Sequence, residues 1–370
     1  MKVALIHDFL TEYGGAERVL LALHDIFPDS DVYSIIYIPE ELPDELNRWK
    51  ITELGWSRYI PFKKRLYKYF LLLYPVAVEQ FRLENYDLVI SSSYLWAKGV
   101  LTRKATCHIC YCHTPMRQAW ELYYQYKEFY AKNILKKLAY SYIFHYLRMW
   151  DYLSAQRVDY FIANSDNVKK RIKKYYNRES KVIYPPVNVE KIPLSDGVDN
   201  YYVLVSRLVP YKKVDLVLDA FRYLPDEKLV IIGSGQEEKK LKRSAPSNVE
   251  FTGWLSDEEK YRIISRAKAL IFPQEEDFGI TAVEALAAGR PVIAYGKGGI
   301  LETVVPGKTG KFFAHQRTED IVDAIKSFDP YSFEPELLRK SALRFDKKNF
   351  IENVRLFVEN SLEEYLKIYG

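Results

Sequence analysis

Along most of the chain, short apolar runs alternate with stretches that have the hydrophobic period of a helix. The runs predict strands and the periodic stretches predict helices. Short apolar runs, such as residues 2–8 and 86–91, have the length and composition of buried strands. Windows between such runs, for example residues 16–27, space their apolar residues three and four apart, as on one face of a helix. Strands that alternate with helices are typical of parallel sheets covered by helices, so the pattern predicts an α/β fold.

The alternation is interrupted once, near the middle of the chain. Pro185 and Pro186 break the pattern, and the polar residues 187–200 have the composition of a loop. A chain of 370 residues is also too long for one ordinary core. The predicted organisation is a first domain at 1–186, a second domain at 187–345 and a final amphipathic helix at 346–370.

The composition is that of a globular protein, with 48% apolar and 28% charged residues. No apolar run approaches the roughly 20 residues that a membrane span needs, and the first residues lack a signal-peptide layout. The net charge of +5 is too mild to indicate nucleic acid as a partner. We therefore expect a cytoplasmic protein, with peripheral contact at the cytoplasmic face of the membrane as a further option.

The three cysteines crowd into one apolar run, residues 107–112. Cys107 and Cys110 have the C-x2-C spacing of a metal site, with His108 and His113 nearby. On a strand, however, alternate side chains point to opposite faces, so the two thiols could not chelate together. We interpret the run as a core strand in a reducing compartment, and we expect no metal ligands.

The most informative stretch is residues 267–296, which predicts a strand, a loop and a helix. An apolar run at 269–273 is followed by a loop with three consecutive acids and by an Ala-rich helix at 280–288. In parallel sheets, ligands bind at the carboxyl ends of the strands, where the next helix begins. The N–H groups at such a helix start, together with the helix dipole, favour an anion.

Two carboxylates bracket this helix start. Glu276 lies on the loop before Gly279, Ile280 and Thr281, and Glu284 lies about one and a half turns into the helix. Since the residues around Glu284 are apolar, its charge needs a partner. A ligand with an anionic middle and hydroxyls at both ends suits this layout, and a nucleotide diphosphate sugar has that form.

The run Glu276-Asp277-Phe278-Gly279 followed by Glu284 resembles the E-x7-E motif of retaining glycosyltransferases of family 4, which have the GT-B fold. The resemblance implies two Rossmann-like domains facing across a cleft, with the last helix crossing back to the first domain. It implies a retaining hexosyltransferase that takes a sugar from a nucleotide diphosphate and needs neither a metal nor another cofactor.

The resemblance also assigns roles to residues elsewhere in the chain. Arg207 and Lys212, with the family's five-residue spacing, correspond to its diphosphate-binding cations, although Lys213 stands where the family usually has glycine. The implied catalytic residues are Glu276, His113, Arg207 and Lys212. The implied donor-binding residues are Gly15, Phe278, Gly279, Ile280, Thr281, Glu284, Gly233, Trp254 and Leu255.

The segment Cys112-His113-Thr114-Pro115, with Trp120, resembles the mannosyltransferase-like branch of the family. That branch implies GDP-mannose as donor and a saccharide or polyprenyl-diphosphate-linked acceptor, in the assembly of surface polysaccharide. UDP-glucose and UDP-galactose remain alternative donors.

Residues 61–75 begin with basic residues and continue with aromatic and aliphatic ones. Two interpretations stay open. The segment either lies on a membrane, with Lys63, Lys64, Arg65 and Lys68 at anionic headgroups, or forms an amphipathic helix that faces the core.

Two other classes of protein are also compatible with an α/β chain. One is a non-catalytic nucleotide-sugar-binding scaffold, which would bind the donor without cleaving it. The other is a nicotinamide dehydrogenase. The dinucleotide fingerprint after residue 232 lacks its third glycine, because position 238 is Glu, and this argues against the dehydrogenase.

Overall fold

The computed structural model describes residues 1–60, 62–194 and 197–370, which divide into two compact units. The first unit contains residues 1–186 and 350–370, and the second contains residues 187–349. Each is an α/β unit with a parallel sheet, as the alternating periods predict.

In the first unit the strands are β1 Val3–Leu10, β2 Asp31–Tyr37, β3 Ile51–Glu53, β4 Leu88–Ser93, β5 Cys107–Cys112, β6 Tyr160–Ala163 and β7 Lys181–Val182. Its helices are α1 Gly15–Ile26, α2 Asp44–Asn47, α3 Lys63–Leu66, α4 Tyr74–Val78, α5 Tyr123–Tyr130, α6 Ile134–Gln156 and α7 Asp166–Tyr176. The strands pair in the order β3-β2-β1-β4-β5-β6-β7.

In the second unit the strands are β8 Tyr202–Val205, β9 Leu229–Ile232, β10 Val249–Gly253, β11 Leu270–Phe272, β12 Val292–Tyr295 and β13 Gly310–Phe313. Its helices are α8 Val214–Phe221, α9 Glu238–Ser244, α10 Asp257–Arg266, α11 Ile280–Ala287, α12 Ile300–Thr303, α13 Thr318–Lys326 and α14 Pro335–Ala342. The strands pair in the order β10-β9-β8-β11-β12-β13. The final helix, α15 Lys347–Tyr369, belongs to the first unit from residue 350 onward.

The first sheet is covered on both faces, which explains the continuous apolar runs of its central strands. Alternate residues of β1 enter different core clusters: Ala4 and Ile6 join one, and Leu5 joins the other. The cluster containing Leu5 is covered by α1 and α15, and the ring of Phe350 packs 5.8 Å from that of Tyr111. The cluster containing Ile6 is covered by α4 and α6.

The cysteines follow the same alternation along β5. Cys107 packs in the core cluster under α1 and α15, whereas Cys110 and Cys112 pack against α7 on the other face. All three are buried free thiols. The prediction that Cys107 and Cys110 point to opposite faces is therefore confirmed.

The segment at residues 61–75 is not the continuous core-facing helix of one interpretation. Pro61 lies outside the described residues, and the rest forms α3, a single 3-10 turn and the start of α4. The ammonium of Lys63 donates to Glu53 at 2.7 Å, and Lys64 pairs with Glu41. Within the described ranges, no helix is both long and apolar enough to cross a membrane.

Candidate active site

The predicted cations occupy the loop between β8 and α8, at the carboxyl edge of the second sheet. Nη2 of Arg207 donates to the hydroxyl of Tyr211 at 3.0 Å. The Lys212 ammonium lies over the ring of the same tyrosine, 5.3 Å from its centre. Tyr211 thus positions both cations, a role that sequence reasoning missed although the residue lies between them in the chain. Lys213 adopts a left-handed conformation, with φ of 56°, and α8 begins directly after it.

Lys212 and the first acid of the E-x7-E run meet. The ammonium of Lys212 forms an ion pair with Oε1 of Glu276, and both side chains are largely buried. A glycine turn holds the backbone of Glu276 in place, because its carbonyl accepts from the N–H of Gly299 at 2.8 Å. A Cβ on Gly298 would lie 2.5 Å from that same carbonyl oxygen, so the turn needs glycine.

The start of α11, Ile280, lies four residues beyond Glu276. Gly279 has φ of 91°, and Ile280 is the first residue of the helix. Phe278 is buried against the ring of Phe345, which fixes the loop before the helix. The first N–H groups of a helix have no partner within it, so those of Ile280 and Thr281 are positioned to bind an anion.

Glu284 is buried, with 1% of its surface exposed, and it has the partner that its apolar surroundings require. Its Oε1 accepts from Nζ of Lys260 at 2.9 Å and from the hydroxyl of Tyr261 at 3.1 Å. Both partners come from α10 and were missed in the sequence. The sequence feature that could have indicated this partner is the position of Lys260, which lies on the buried face of that helix, one turn before Ile264. In this structure, one oxygen of the proposed ribose-binding carboxylate is thus engaged by the protein.

The loop after β9 approaches the Arg207 loop closely. Gly233 has φ of 131°, and a Cβ there would lie 2.0 Å from the carbonyl oxygen of Ser206. Its N–H donates to the carbonyl of Gly253 at 2.8 Å, so the loops after β8, β9 and β10 meet at Gly233. Trp254 follows this point and is 70% exposed, beside the half-buried Leu255.

His113 lies at the carboxyl end of β5 in the first unit and is part of a buried polar chain. Its Nε2 lies 2.8 Å from Oγ of Ser92, which in turn lies 3.1 Å from Nδ1 of His7. Nε2 of His7 lies 3.3 Å from Oε1 of Glu17. The other oxygen of Glu17 accepts from the N–H of Gly14 at 2.8 Å. This row of hydrogen-bonded side chains therefore reaches the start of α1, where Gly15 is the first residue of the helix and not part of the preceding loop.

Burial keeps the imidazole of His113 neutral. Burial, with a smaller contribution from His7, lowers the pKa of His113 to about 3. A neutral imidazole can both donate and accept a hydrogen bond, which suits sugar hydroxyls. Sequence reasoning found His113 but missed His7, Ser92 and Glu17. The sequence feature that could have indicated His7 and Ser92 is that both are polar residues near the carboxyl ends of strands that are otherwise apolar.

Trp120, the other residue that carries the resemblance to the mannosyltransferase-like branch, is held by contacts within the first unit. Its indole N–H donates to Asp151 at 2.8 Å, and its ring stacks on Tyr175 with centres 4.8 Å apart. Among the described residues, no group of three or more His, Cys, Asp or Glu side chains is placed to hold a metal ion.

Comparison with known proteins agrees with this geometry. The model of Glycosyltransferase Family 4 matches residues 13–191, and that of Glycosyl transferases group 1 matches residues 187–329. An uncharacterised glycosyltransferase of Methanocaldococcus jannaschii is 29% identical over 211 residues, which are 56% of this chain and 60% of that protein. A GDP-mannose-dependent monoacylated alpha-(1-6)-phosphatidylinositol monomannoside mannosyltransferase of Corynebacterium glutamicum is 37% identical over 116 residues, 27% of this chain and 30% of that protein.

These matches span less than two thirds of either relative's own length. A solved structure extends the likeness over nearly the whole chain. The Anabaena protein HepE, in complex with UDP-glucose, is 17% identical, with a TM-score of 0.71 that covers 97% of this chain and all of that one. At that identity the likeness shows the GT-B fold. Because the two family models together match residues 13–329 and the fold agrees, the chain belongs to the family 4 type of glycosyltransferases with the GT-B fold.

Proposed function

We propose that this protein transfers a hexose from a nucleotide diphosphate sugar to an acceptor, with retention of configuration and without a metal ion. The observation that carries the proposal is the Lys212–Glu276 ion pair. It joins the cationic loop after β8 to the loop that begins α11, so a cation, a carboxylate and a helix start lie together.

The chemistry of the leaving group gives these residues their roles. Cleavage of the sugar–phosphate bond leaves additional negative charge on the diphosphate. Arg207, Lys212 and the first N–H groups of α11 would stabilise that charge, and preorganised groups of this kind often supply the largest single contribution to catalysis. They would take the place of a metal ion.

The remaining residues would hold the two ends of the donor. Glu276 would bind sugar hydroxyls near the reacting carbon, and His113 of the first unit would bind the outer hydroxyls. Glu284 would reach the ribose, held in place by Lys260 and Tyr261. We propose that the acceptor attacks on the face the leaving group departs from, and that the departing phosphate helps to take its proton.

GDP-mannose is the donor that we propose. The relative from Corynebacterium glutamicum is named for this donor, and the His113 segment resembles the mannosyltransferase-like branch of the family. The complex of HepE with UDP-glucose supports a UDP-sugar as the alternative. The proposed acceptor is a saccharide or a polyprenyl-diphosphate-linked saccharide of surface polysaccharide assembly, which the protein would meet at the cytoplasmic face of a membrane.

The test is a panel of nucleotide sugars incubated with the protein in the absence of acceptor, scored for slow hydrolysis of the donor. Release of GDP from GDP-mannose alone, lost in Glu276→Ala, is the expected result. Release of UDP from a UDP-sugar would replace the donor assignment. Tight nucleotide binding with no release from any donor, in the presence of membrane extract as an acceptor source, would favour the non-catalytic scaffold.

A further inference from the structure

Helix α6 is apolar on two opposite faces, and only one of them is covered. Its inner face packs into the core of the first unit through Phe144, Leu147 and Trp150. Its opposite face carries an exposed row, which we call the outer stripe: Leu135, Leu138, Tyr142, Met149 and Leu153. Leu135 and Tyr142 are 75% and 77% exposed. With spacings of three, four, seven and four residues, the stripe runs about 27 Å along the helix.

The exposure of this stripe is not the result of a poorly fixed helix. Asn133 caps α6 by accepting from the N–H of Lys136 at 2.9 Å. Helix α5 braces it, because the hydroxyl of Tyr123 donates to Ser141 at 3.0 Å and the guanidinium of Arg148 lies over the Tyr123 ring. The helix is therefore held rigidly with its apolar outer face in water, and large exposed apolar patches mark interaction sites.

The exposed charges of α5 and α6 are mainly basic, and Glu128 of α5 is the exposed acid of the two helices. The turn between α5 and α6 and the first turn of α6 carry three exposed lysines, which we call the lysine turn: Lys132, Lys136 and Lys137. The one acid of α6, Asp151, is buried, and its Oδ1 accepts a hydrogen bond from the ammonium of Lys98 at 2.5 Å. No acid of α6 is therefore exposed.

Exposed aromatic side chains surround the same turn. Tyr124, Phe129 and Tyr130 of α5 are all at least half exposed. Aromatic rings concentrate at the boundary between lipid and water, where an apolar ring and a polar edge are both accommodated. Together, the outer stripe, the lysine turn and the aromatic rings have the composition of a helix that lies at the surface of a membrane.

We propose that the α5–α6 hairpin docks on the surface of an anionic lipid bilayer, with the outer stripe in the headgroup region and the lysine turn at lipid phosphates. A second copy of the chain fits less well, because it would bring the same three lysines, and Glu128 of α5 is the one exposed acid of the two helices that could pair with them. The inference deepens the proposed function, which brings the protein to a membrane surface. Its test is separate, since docking requires neither donor nor acceptor.

This surface is better suited to lipid phosphate than residues 61–75. There Lys63 and Lys64 already pair with Glu53 and Glu41 of the same unit. The segment exposes Phe62, Leu72 and Leu73, but its other apolar residues, Leu66, Phe70 and Leu71, pack against the core cluster that α6 also covers.

The experiment is flotation of the full chain with phosphatidylcholine vesicles and with vesicles containing phosphatidylglycerol, at low and high salt. We expect binding to anionic vesicles that weakens with salt. Leu138→Gln with Tyr142→Gln should weaken it at least ~10-fold. Lys136→Gln with Lys137→Gln should weaken it roughly 30-fold at low salt, with little change on neutral vesicles.

Two matched pairs of substitutions in the same unit serve as controls. Leu356→Gln with Leu366→Gln changes exposed leucines of α15, and Lys169→Gln with Lys170→Gln changes exposed lysines of α7. Both should bind like the unsubstituted chain, and all variants should keep its melting temperature. Failure of the unsubstituted chain to bind anionic vesicles at low salt, or equal loss in the controls, overturns the proposal. A stripe variant that turns a dimer into a monomer without changing vesicle binding would assign the surface to a second copy.

Discussion

Lys212 and Glu276, 64 residues apart in the chain, form an ion pair in the second unit. Each was assigned from the sequence to a different part of the same donor: the cation to the diphosphate and the carboxylate to the sugar. Their pairing means that each holds the other in place. Under the proposed function, a donor would meet side chains that are already oriented, which lowers the cost of ordering them.

Loss of either member of this pair should impair turnover. Lys212→Ala and Glu276→Ala are each expected to lower kcat at least ~100-fold, the scale for a charge-stabilising contact. Steady-state kinetics with the donor found by the panel measures this. Lys213→Asn is the control, since asparagine tolerates the left-handed conformation of residue 213 and should preserve kcat. Near-normal turnover in Lys212→Ala would remove that residue from the mechanism.

The buried contact between α10 and α11 should be important for stability. Lys260→Met leaves the Glu284 carboxylate without its cation in an apolar setting, so we expect the free energy of unfolding to fall by about 3–5 kcal/mol. Denaturant titration provides the measurement. Lys242→Met, which breaks the exposed pair with Glu238, should cost under ~1 kcal/mol. Equal losses in the two variants would contradict a special role for the buried pair.

His113 should make the fold sensitive to acid. Its pKa is lowered to about 3 in the folded protein, below the ordinary value of 6.5, so between these values the unfolded chain binds the extra proton. The stabilising effect of the neutral imidazole is complete above pH 6.5 and is lost progressively as the pH falls toward 3. His113→Gln should therefore show a shallower fall in melting temperature across this window.

The control for that experiment is His315→Gln, which changes a largely exposed histidine of the second unit. It should keep the melting temperature of the unsubstituted chain at pH 7, which shows that replacing a histidine is not by itself destabilising. Burial also lowers the pKa of His108 to about 3, and this second histidine keeps some acid sensitivity in every variant. An unchanged slope in His113→Gln would show that His113 titrates normally.

The loop junction at Gly233 should tolerate no side chain. In Gly233→Ala the new Cβ would lie 2.0 Å from the Ser206 carbonyl oxygen, in addition to the strain of a positive φ. We expect a loss of more than ~3 kcal/mol in unfolding free energy. Gly307→Ala has a positive φ but open space, so it should cost only about 1–2 kcal/mol. Similar melting temperatures for the two variants would rule out the clash.

Sequence patterns located most of the elements that carry the site. The predicted strand at 269–273, the acidic loop and the helix at 280–288 correspond to β11, its following loop and α11 within one or two residues. The segment at 61–75 was harder, because its apolar residues follow no single period and the chain breaks into short helices there. A local period can be read in the sequence when one face of an element is buried, and it becomes ambiguous when both faces are apolar.

The sequence by itself determined the class of fold and the approximate positions of most strands, although it did not predict β3 or β13. It could do so because a strand covered on both faces is a continuous apolar run, whereas a helix buried on one face has a period of 3.6 residues. Loops at the carboxyl ends of parallel strands also gather at one edge of the sheet. Only the tertiary structure decided that Lys260 meets Glu284, that His7 and Ser92 support His113, and which face of α6 stays in water. Those relationships join residues from separate elements, so no local period encodes them.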